Sequence, residues 1–424
     1  MTVKPLDGIR VVEMASFVAA PSAGAIMADL GADVVKIEPP SGDTYRGLMR
    51  QPKVDGRRVE FDAAFAVDNR GKRSLALDVT TDAGQSIMHR LVATAQVFVC
   101  NMLPARQQRY GLDPDSLKAV NPSLVHATLT GYGTKGEEAD RPGYDVTAYF
   151  ARGGFADMSS DPDTGQPSRF PQAAGDHSSG LALLSGVLAA LRLAERTGEF
   201  QVVETSLLTN SLWAIAGDVS TALIDGRRPS ARNRHEVLNA AVNTYRCGDD
   251  TWILVNMPVP ATFPVFCRQL GIEWVLDEDR FATPRDRFQN MAELVAIVDE
   301  RMLAKPAAEW GRLLDEENIV WAPVQSLDEV VKDKQIRANG YVVALAHRLD
   351  MSGDMPVVTD DDTDGDVGVP IETVAVPIKI AGVDVAPSGP VPGPGAHSRD
   401  VLSELGLDDG AIDELRRSGI VAGP

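Results

Sequence analysis

The fold is decided near the start of the chain, by Ile9-Arg10-Val11-Val12-Glu13-Met14, residues 21–30 and Gly31-Ala32-Asp33-Val34-Val35-Lys36-Ile37-Glu38. The two β-branched runs predict strands. The Ala-rich residues between them predict a helix, with Pro21 near its first turn and Gly31 after its end. A strand, helix and strand of these lengths indicate a parallel sheet with a right-handed crossover.

The same alternation continues through the first half of the chain. The patterns predict strands at 74–78, 97–100 and 124–130 and helices at 82–94 and 178–196, followed by a strand and a helix within 202–223. This order indicates an α/β fold with a doubly wound sheet.

The second half differs in composition. The polar stretch Asp225-Gly226-Arg227-Arg228-Pro229 indicates a boundary, and residues 233–340 have the mixed patterns of a smaller α+β unit. Beyond it lie an acidic segment at 359–368, a Pro/Gly-rich segment at 387–395 and a helical pattern over 400–417.

Composition limits the classes of function. The chain has 424 residues, which predicts two or three domains, and its net charge of −19 disfavours nucleic acid as a partner. Cys100, Cys247 and Cys267 are far apart and form no CxxC pair, which is typical of a reducing compartment. The N-terminus has no basic and then apolar leader, and the apolar stretches are broken short of a membrane span, so we expect a cytoplasmic protein that contacts no membrane.

Two nucleotide motifs fail. The turn after the first strand, Ala15-Ser16-Phe17-Val18-Ala19-Ala20-Pro21, lacks the glycines of a dinucleotide site, although Glu38 is placed to hold a ribose. Gly131 and Gly136 have P-loop spacing, but Glu137 stands where the lysine is required. There is also no G-x-S-x-G elbow of an α/β-hydrolase.

Metal motifs are weaker still. Asp360, Asp362, Asp364 and Gly365 match the opening of a calcium loop, but Ile371 occupies the position of the bidentate glutamate. A solvated acidic loop is the other interpretation of 360–368. The six histidines show no zinc-ligand spacing, so we expect no metal site.

One motif remains, Gly175-Asp176-His177-Ser178-Ser179-Gly180, just before the long apolar helix. Asp176 has two interpretations. It is either the N-cap of that helix or a carboxylate nucleophile held at the positive end of the helix.

Several motifs follow one another in a single order along the chain. They are Leu6-Asp7-Gly8-Ile9-Arg10-Val11-Val12-Glu13, Ala28-Asp29-Leu30-Gly31-Ala32-Asp33, Asn69-Arg70-Gly71-Lys72-Arg73-Ser74-Leu75-Ala76-Leu77-Asp78, Arg141-Pro142-Gly143-Tyr144-Asp145, Gly175-Asp176, Glu199-Phe200-Gln201-Val202-Val203-Glu204 and Gly395-Ala396-His397-Ser398-Arg399-Asp400. With these motifs the chain resembles the class III CoA-transferases, the group of formyl-CoA transferase, carnitine CoA-transferase and the bile-acid CoA-transferases.

The resemblance implies an architecture: a Rossmann-like large domain, a smaller inserted α+β domain and an interlocked homodimer. For this chain it places the large domain at 1–210, a linker at 211–232, the small domain at 233–340 and a return to the large domain over 341–424.

The resemblance also implies a chemistry. The family's nucleophile falls on Asp176, which would form first an anhydride with the acyl group of an acyl-CoA and then an aspartyl-CoA thioester. CoA would thus pass to a carboxylic acid without a permanently bound cofactor. The positions expected to contact CoA are Val18, Ala19, Leu77, Thr80, Asn101, Met102, Leu103, Arg109, Tyr144 and Asp145. Lys72 and Arg73 would either face the CoA phosphates or be ordinary solvated cations.

Departures from formyl-CoA transferase bear on the substrate. Val18 and Thr80 replace a glutamine and a lysine of that enzyme, which favours a larger or less polar acyl group than formate or oxalate. The alternatives are an α-methylacyl-CoA racemase and a non-catalytic acyl-CoA binding protein. Tyr144 stands where the racemases have the histidine of a His-Asp pair, and the tyrosine pKa near 10 suits proton abstraction poorly.

Overall fold

A computed structural model describes residues 3–226, 233–352, 356–360, 368–387 and 389–424. Two regions discussed above lie partly outside these residues. They are the end of the expected linker, 227–232, and most of the acidic loop, including Asp362, Asp364 and Gly365.

The chain up to residue 226 holds most of one sheet and its helices. Its strands are β1 (Arg10–Met14), β2 (Asp33–Glu38), β3 (Lys53–Val54), β4 (Arg57–Arg58), β5 (Arg73–Leu77), β6 (Val97–Cys100), β7 (Val125–Thr130) and β8 (Gln201–Ser206). Its helices are α1 (Ala19–Asp29), α2 (Ala63–Asn69), α3 (Asp82–Val92), α4 (Pro104–Arg109), α5 (Pro114–Val120), α6 (Phe155–Met158), α7 (Ala174–Thr197), α8 (Leu207–Ala214) and α9 (Ala216–Asp225). A π-helix covers Asp145–Ala151.

The region from 233 to 333 contains a second, smaller sheet. Its strands are β9 (Val242–Arg246), β10 (Trp252–Asn256) and β11 (Trp321–Pro323). Its helices are α10 (Phe263–Leu270), α11 (Pro284–Gln289), α12 (Met291–Met302), α13 (Ala307–Glu316) and α14 (Leu327–Val330). The strands are antiparallel in the order β11-β10-β9, and Trp310 and Phe266 lie in the fully buried core beside them.

The remaining elements follow α14 in the chain. They are α15 (Lys334–Ala338), β12 (Val342–Asp350), β13 (Val357–Asp360), β14 (Val369–Val374), α16 (Ser398–Glu404), α17 (Asp409–Arg417) and β15 (Val421–Ala422). Strands β12, β13 and β14 form a separate antiparallel sheet.

The contacts divide the chain into two units. The large unit is Met1–Ala156, Arg169–Gly226 and Lys334–Pro424, and the small unit is Asp157–Ser168 and Arg227–Asp333. Residues 334–340, expected in the small domain, lie in the large unit, where Arg337 pairs with Glu372 of β14 at 2.5 Å.

The large unit is a mixed α/β fold with a mainly parallel sheet, as predicted. Its strand order is β15-β5-β2-β1-β6-β7-β8, and only β15 runs antiparallel to its neighbour. The order therefore runs outward from β1 in both directions and reverses between β1 and β6. In open parallel sheets of this kind, ligands bind beyond the carboxyl ends of the strands at the reversal.

The predicted strand, helix and strand at the start are present as β1, α1 and β2. Two other predictions were wrong in detail. The helix expected up to residue 223 breaks at Ile215 into α8 and α9, and the one expected over 400–417 breaks into α16 and α17. Gly406, with φ +81°, lies in the second break, where a side chain would strain the backbone.

Helices α1 and α7 approach each other closely because small residues line their contact. A Cβ on Gly180 would lie 2.0 Å from Oγ of Ser22 and 2.6 Å from the carbonyl oxygen of Ala19. All eleven residues of α1 are buried. This contact fixes the first turn of α7 relative to the turn between β1 and α1.

Helix α7 corrects the expectation about apolar stretches. Among the described residues it is long and apolar enough to cross a membrane, and 39% of its most apolar window is buried within the fold. Leu183, Leu184 and Val187 on its inner face lie in the core of the large unit, the usual setting of such a helix in a globular protein. Its outer face carries exposed Leu181, Leu188 and Leu193.

Candidate active site

A cavity of about 1200 Å³ lies within the large unit at the carboxyl ends of β1 and β6. Its walls come from the turns after β1, β2, β6 and β7, from the start of the π-helix and from the first turn of α7. It therefore occupies the place where the strand order reverses, which is the expected ligand site of this topology.

Asp176 lines this cavity but does not cap α7, so the N-cap interpretation was wrong. The helix begins at Ala174, and its cap is Ala173, which has φ +68° and no capping side chain. Asp176 is thus the third helical residue. A Cβ on the preceding Gly175 would lie 2.7 Å from the Tyr149 ring, so only glycine permits this close approach.

The Asp176 carboxylate is partly buried and lacks the hydrogen bonds that would stabilise its charge. No described residue donates a hydrogen bond to it. Burial, and secondarily the charge of Asp145, raise its pKa from 3.8 to about 7. A carboxylate in this state is more basic than an ordinary one and is suited to nucleophilic attack.

His177, the next residue, also lines the cavity and is paired with an acid from another helix. Its Nε2 lies 3.0 Å from Oδ1 of Asp68 in α2. The hydrogen bond to Asp68 raises the pKa of His177, and burial raises the pKa of Asp68. Sequence reasoning missed this pair because 109 residues separate its members. The adjacency of His177 to the Gly175-Asp176 motif was the one available signal.

Asp145 brings a second carboxylate to the cavity. It is 5% exposed, and its Oδ1 accepts a 2.6 Å hydrogen bond from the backbone N–H of Val146. Its buried Oδ2 has no partner among the described residues. This oxygen is available to a donor group of a ligand.

An aromatic wall faces these acids. The Phe17 ring centroid lies 5.1 Å from that of Tyr144 and 5.9 Å from that of Tyr45. Burial and nearby carboxylates, Asp68 first among them, raise the pKa of Tyr45 to about 12, so its hydroxyl stays protonated. The wall gives the cavity an apolar surface.

The turn that carries Phe17, Val18 and Ala19 is held in a strained conformation. Phe17 has φ +64°, the left-handed region in which a glycine would be unstrained. The side chain of Asn101 fixes the turn to the end of β6, because its Nδ2 donates to the Ser16 carbonyl at 2.7 Å and its Oδ1 accepts from the Ser16 N–H at 3.2 Å.

Eight predicted site residues line the cavity together, and three do not. The eight are Val18, Ala19, Asn101, Met102, Leu103, Tyr144, Asp145 and Asp176. Leu77 is buried in the core, Thr80 is exposed and bonds to Asp78, and Arg109 is exposed beside Tyr110. Arg106, one turn before Arg109, lines the cavity instead.

A cluster of charges is buried beside the cavity, and one of its members, Asp43, lines the cavity. Glu13 pairs with Lys72 at 2.7 Å and with Lys36 at 3.4 Å, and Lys36 pairs with Asp43 at 2.8 Å. The ammonium group of Lys36 also donates to the carbonyl oxygen of Ala15, and that of Lys72 donates to the carbonyl oxygen of Pro21. The buried charge cluster thus supports both ends of the turn between β1 and α1.

The interpretation of Lys72 as a solvated cation was wrong, since its side chain is fully buried, and Lys72 does not line the cavity. Burial lowers the pKa of Lys72 to about 8. Arg73 is engaged by Asp33 and Glu404 at 2.7 Å each. Glu38, considered for a ribose, accepts hydrogen bonds from Arg46 and Ser74. Within the part of the chain that the structure describes, no three His, Cys, Asp or Glu residues form a group that could hold a metal ion.

Comparison with known proteins identifies the chain's relatives. The model of CoA-transferase family III matches residues 6–398. The chain is 31% identical to (R)-2-hydroxy-4-methylpentanoate CoA-transferase of Clostridioides difficile, over 98% of this chain and 99% of that protein. It is 32% identical to succinate–glutarate CoA-transferase of Agrobacterium fabrum, over 95% and 96%. A crystal structure of a CAIB/BAIF family protein from Brucella suis covers 95% of this chain and 100% of its own, with 30% identity and a TM-score of 0.78.

Proposed function

The chain belongs to CoA-transferase family III and is an enzyme of that class, and we propose that it transfers CoA through covalent intermediates on Asp176. The observation that carries this proposal is the Asp176 carboxylate, which lines the cavity without a hydrogen-bond donor and has a pKa of about 7. Its substrates are an acyl-CoA thioester and a free carboxylic acid.

In the first step a carboxylate oxygen of Asp176 attacks the thioester carbon. The new C–O bond gives a mixed anhydride, and the broken C–S bond releases CoA thiolate. The thiolate then attacks the aspartyl carbonyl, which forms aspartyl-CoA and releases the donor acid. The acceptor acid reverses these steps. Anhydride and thioester are both activated acyl species, so the group transfer needs no ATP.

The cavity residues divide between the two parts of the substrate. We assign Val18, Ala19, Asn101, Met102 and Leu103 to CoA, together with Tyr144 and Asp145, which the sequence also indicated. The N-terminus of α1 presents unpaired backbone N–H groups to this side. Leu77, Thr80 and Arg109 lie outside the cavity and stay predicted contacts of CoA.

The aromatic wall favours an apolar acyl group over a small dianion. Phe17, Tyr45 and Met49 line the cavity, and Val18 stands where formyl-CoA transferase has a polar residue. The relative from Clostridioides difficile is named for a branched hydroxy acid, and the one from Agrobacterium fabrum for dicarboxylic acids. A panel of substrates with different acyl chains is thus needed to identify the acyl group that the enzyme prefers.

The exposed face of α7, α8 and α9 supports the predicted interlocked homodimer. Trp213, Leu223 and Ile224 are 81–88% exposed, and Leu181, Leu188 and Leu193 of α7 are also exposed. Apolar surface of this kind is typical of a subunit interface. We also propose a cytoplasmic location, in keeping with three free, buried cysteines.

The Asp176→Ala variant tests the nucleophile. We expect it to fold and to bind CoA but to lose transfer in a panel of acetyl-, butyryl- and succinyl-CoA donors with isobutyrate, phenyllactate and glutarate acceptors. In the wild type, hydroxylamine trapping followed by mass spectrometry should place the modification on the Asp176 peptide. Wild-type turnover by Asp176→Ala would show that the assignment is wrong.

Two further measurements separate the alternatives. Incubation of a chiral 2-methylacyl-CoA in deuterated water reports α-proton exchange, which a racemase catalyses and this mechanism does not. A non-catalytic binding protein would bind butyryl-CoA without forming any adduct on Asp176.

A further inference from the structure

The pair of His177 and Asp68 lies beside the proposed nucleophile but has no part in the steps described above. His177 is 46% exposed on its side chain and lines the cavity, whereas the Asp68 side chain is 2% exposed. No described residue forms a hydrogen bond with Nδ1 of His177. One ring nitrogen is therefore held by the protein, and the other is available to a ligand.

We propose that His177 is the cation that binds the free carboxylate next to Asp176, and that Asp68 is a positioning residue which keeps its imidazole oriented and charged. This inference rests on the proposed function of Asp176. It concerns the acid that enters or leaves, and not the CoA portion of the substrate.

The charges of the reaction give the reason for a fixed cation. Exactly one negative charge is carried by the reacting groups throughout: first on Asp176, then on the CoA thiolate sulfur, and finally on the released carboxylate. Every step forms one C–O or C–S bond and breaks another, and none requires a proton. A nearby cation stabilises each of these anions without changing its own protonation state.

The surroundings favour a cation beside Asp176, and the described cavity lining also contains Arg50 and Arg106. The entering acid is an anion, and the cavity already holds the carboxyl groups of Asp68, Asp145 and Asp176. The two nearby lysines, Lys36 and Lys72, are neutralised in the buried charge cluster. His177 is the neighbour of Asp176 in the chain, and a protonated imidazole bound to a carboxylate makes a strong, charge-assisted hydrogen bond.

The ionisable groups around His177 set the pH range over which its imidazole is charged. Asp68 of α2, Asp176 of α7 and Asp145 of the π-helix favour its protonated form, while burial opposes it. Lys72 and Arg70 in turn favour the ionised form of Asp68. Activity should rise as Asp176 ionises, with a pKa of about 7, and fall as His177, whose pKa Asp68 raises, loses its proton.

The test compares His177→Gln, His177→Arg and Asp68→Asn with the wild type, over pH 5.5 to 9. The donor is butyryl-CoA, and the acceptor is the acid with the highest turnover in the panel. His177→Gln should raise the KM for the acceptor about 10–100-fold, the worth of a charge-assisted hydrogen bond. His177→Arg should restore binding and remove the fall at high pH. Asp68→Asn should move that fall to lower pH.

The matched control is His89→Gln, since His89 bonds to a backbone carbonyl and does not line the cavity. The inference would be overturned if His177→Gln had an acceptor KM within twofold of the wild-type value and an unchanged pH profile. That result leaves the proposed function intact as long as the Asp176 adduct still forms. Loss of the adduct in the wild type would instead refute the proposed function itself.

Discussion

Two groups of ionisable residues lie near the turn between β1 and α1, and they are built in opposite ways. In the buried charge cluster, Glu13, Lys36, Lys72 and Asp43 are almost fully buried and paired with one another. Among the acids of the cavity, the carboxylate of Asp176 has no hydrogen-bond donor among the described residues. The first group is matched in charge, whereas the second has an excess of acid.

The difference is the one expected between groups that hold the fold and groups that do chemistry. In the buried charge cluster, burial alone would lower the pKa of Lys36, but Glu13 and Asp43 more than reverse this and raise it. At Asp176, burial and Asp145 raise the pKa to about 7, and the charge of His177 offsets only part of this rise. Strongly perturbed groups in a cavity are typical of functional sites.

The largest effect is expected from breaking the buried charge cluster. Lys36→Met leaves Glu13 and Asp43 buried with less compensating charge, so we expect a loss of about 3–5 kcal/mol in the free energy of unfolding. Urea unfolding at pH 7 measures it. The control, Arg399→Ala, removes an exposed ion pair with Asp413 and should have no measurable effect. Equal stability of the two variants would show that the cluster is not structural.

The next largest effect is expected from disturbing the contact between α1 and α7, which positions Asp176. Gly180→Ala places a Cβ against Ser22 and the Ala19 carbonyl, so we expect a loss of about 1–3 kcal/mol in stability, with reduced turnover. The control is Gly217→Ala in α9, where no atom lies within 4 Å and alanine should be neutral or stabilising by up to about 1 kcal/mol. A Gly180→Ala variant as stable as its control would contradict the close packing of α1 and α7.

A smaller effect has the opposite sign. Asp176→Asn should stabilise the protein at pH 8 by about 1–2 kcal/mol, because the raised pKa makes the ionised carboxylate unfavourable in the fold. Complete burial would give ~4 kcal/mol, and partial exposure reduces it. The wild type loses this stability as pH rises from about 4 to about 7, so the advantage of the variant should vanish near pH 4. Thermal unfolding of the variant and the wild type at pH 4 and pH 8 measures the difference in stability. An equal difference at both pH values would contradict the assigned pKa of Asp176.

The smallest effect concerns the coupling of two acids. Asp145→Asn removes a charge that raises the pKa of Asp176, so the rise of kcat/KM with pH should move to lower pH. A pH–rate profile with butyryl-CoA measures it. A shift towards higher pH would mean that Asp145 does not act on Asp176 through its charge.

Local patterns predicted the central strands of the large sheet and helices α1, α3 and α7. The run Val97–Cys100 was placed without error, and β1, α1 and β2 within two residues at each end. These elements have apolar periodicity that their own residues specify. The pairing of β15 with β5 joins Val421 to Leu77, and no local pattern in two residues indicates such a partner.

Prediction of the site was limited in the same way, by contacts between residues that are far apart in the chain. The motif resemblance placed Asp176 and seven CoA-contact positions on one cavity, because short motifs at the ends of parallel strands converge there. Lys72 was misjudged because a lysine looks exposed until its buried partner Glu13 is known. Asp68 was missed for a similar reason, since its partner is 109 residues away.

The two-residue strand β15 has a consequence for synthesis on the ribosome. It covers the outer edge of β5, and 344 residues separate Leu77 from Val421. At a translation rate of roughly 10 residues per second, β5 therefore waits about half a minute for its neighbour. During that time its edge, with Leu75 and Leu77, is open to pairing with other chains. The nascent chain should thus depend on chaperones most strongly after the small unit has emerged and before β15 has.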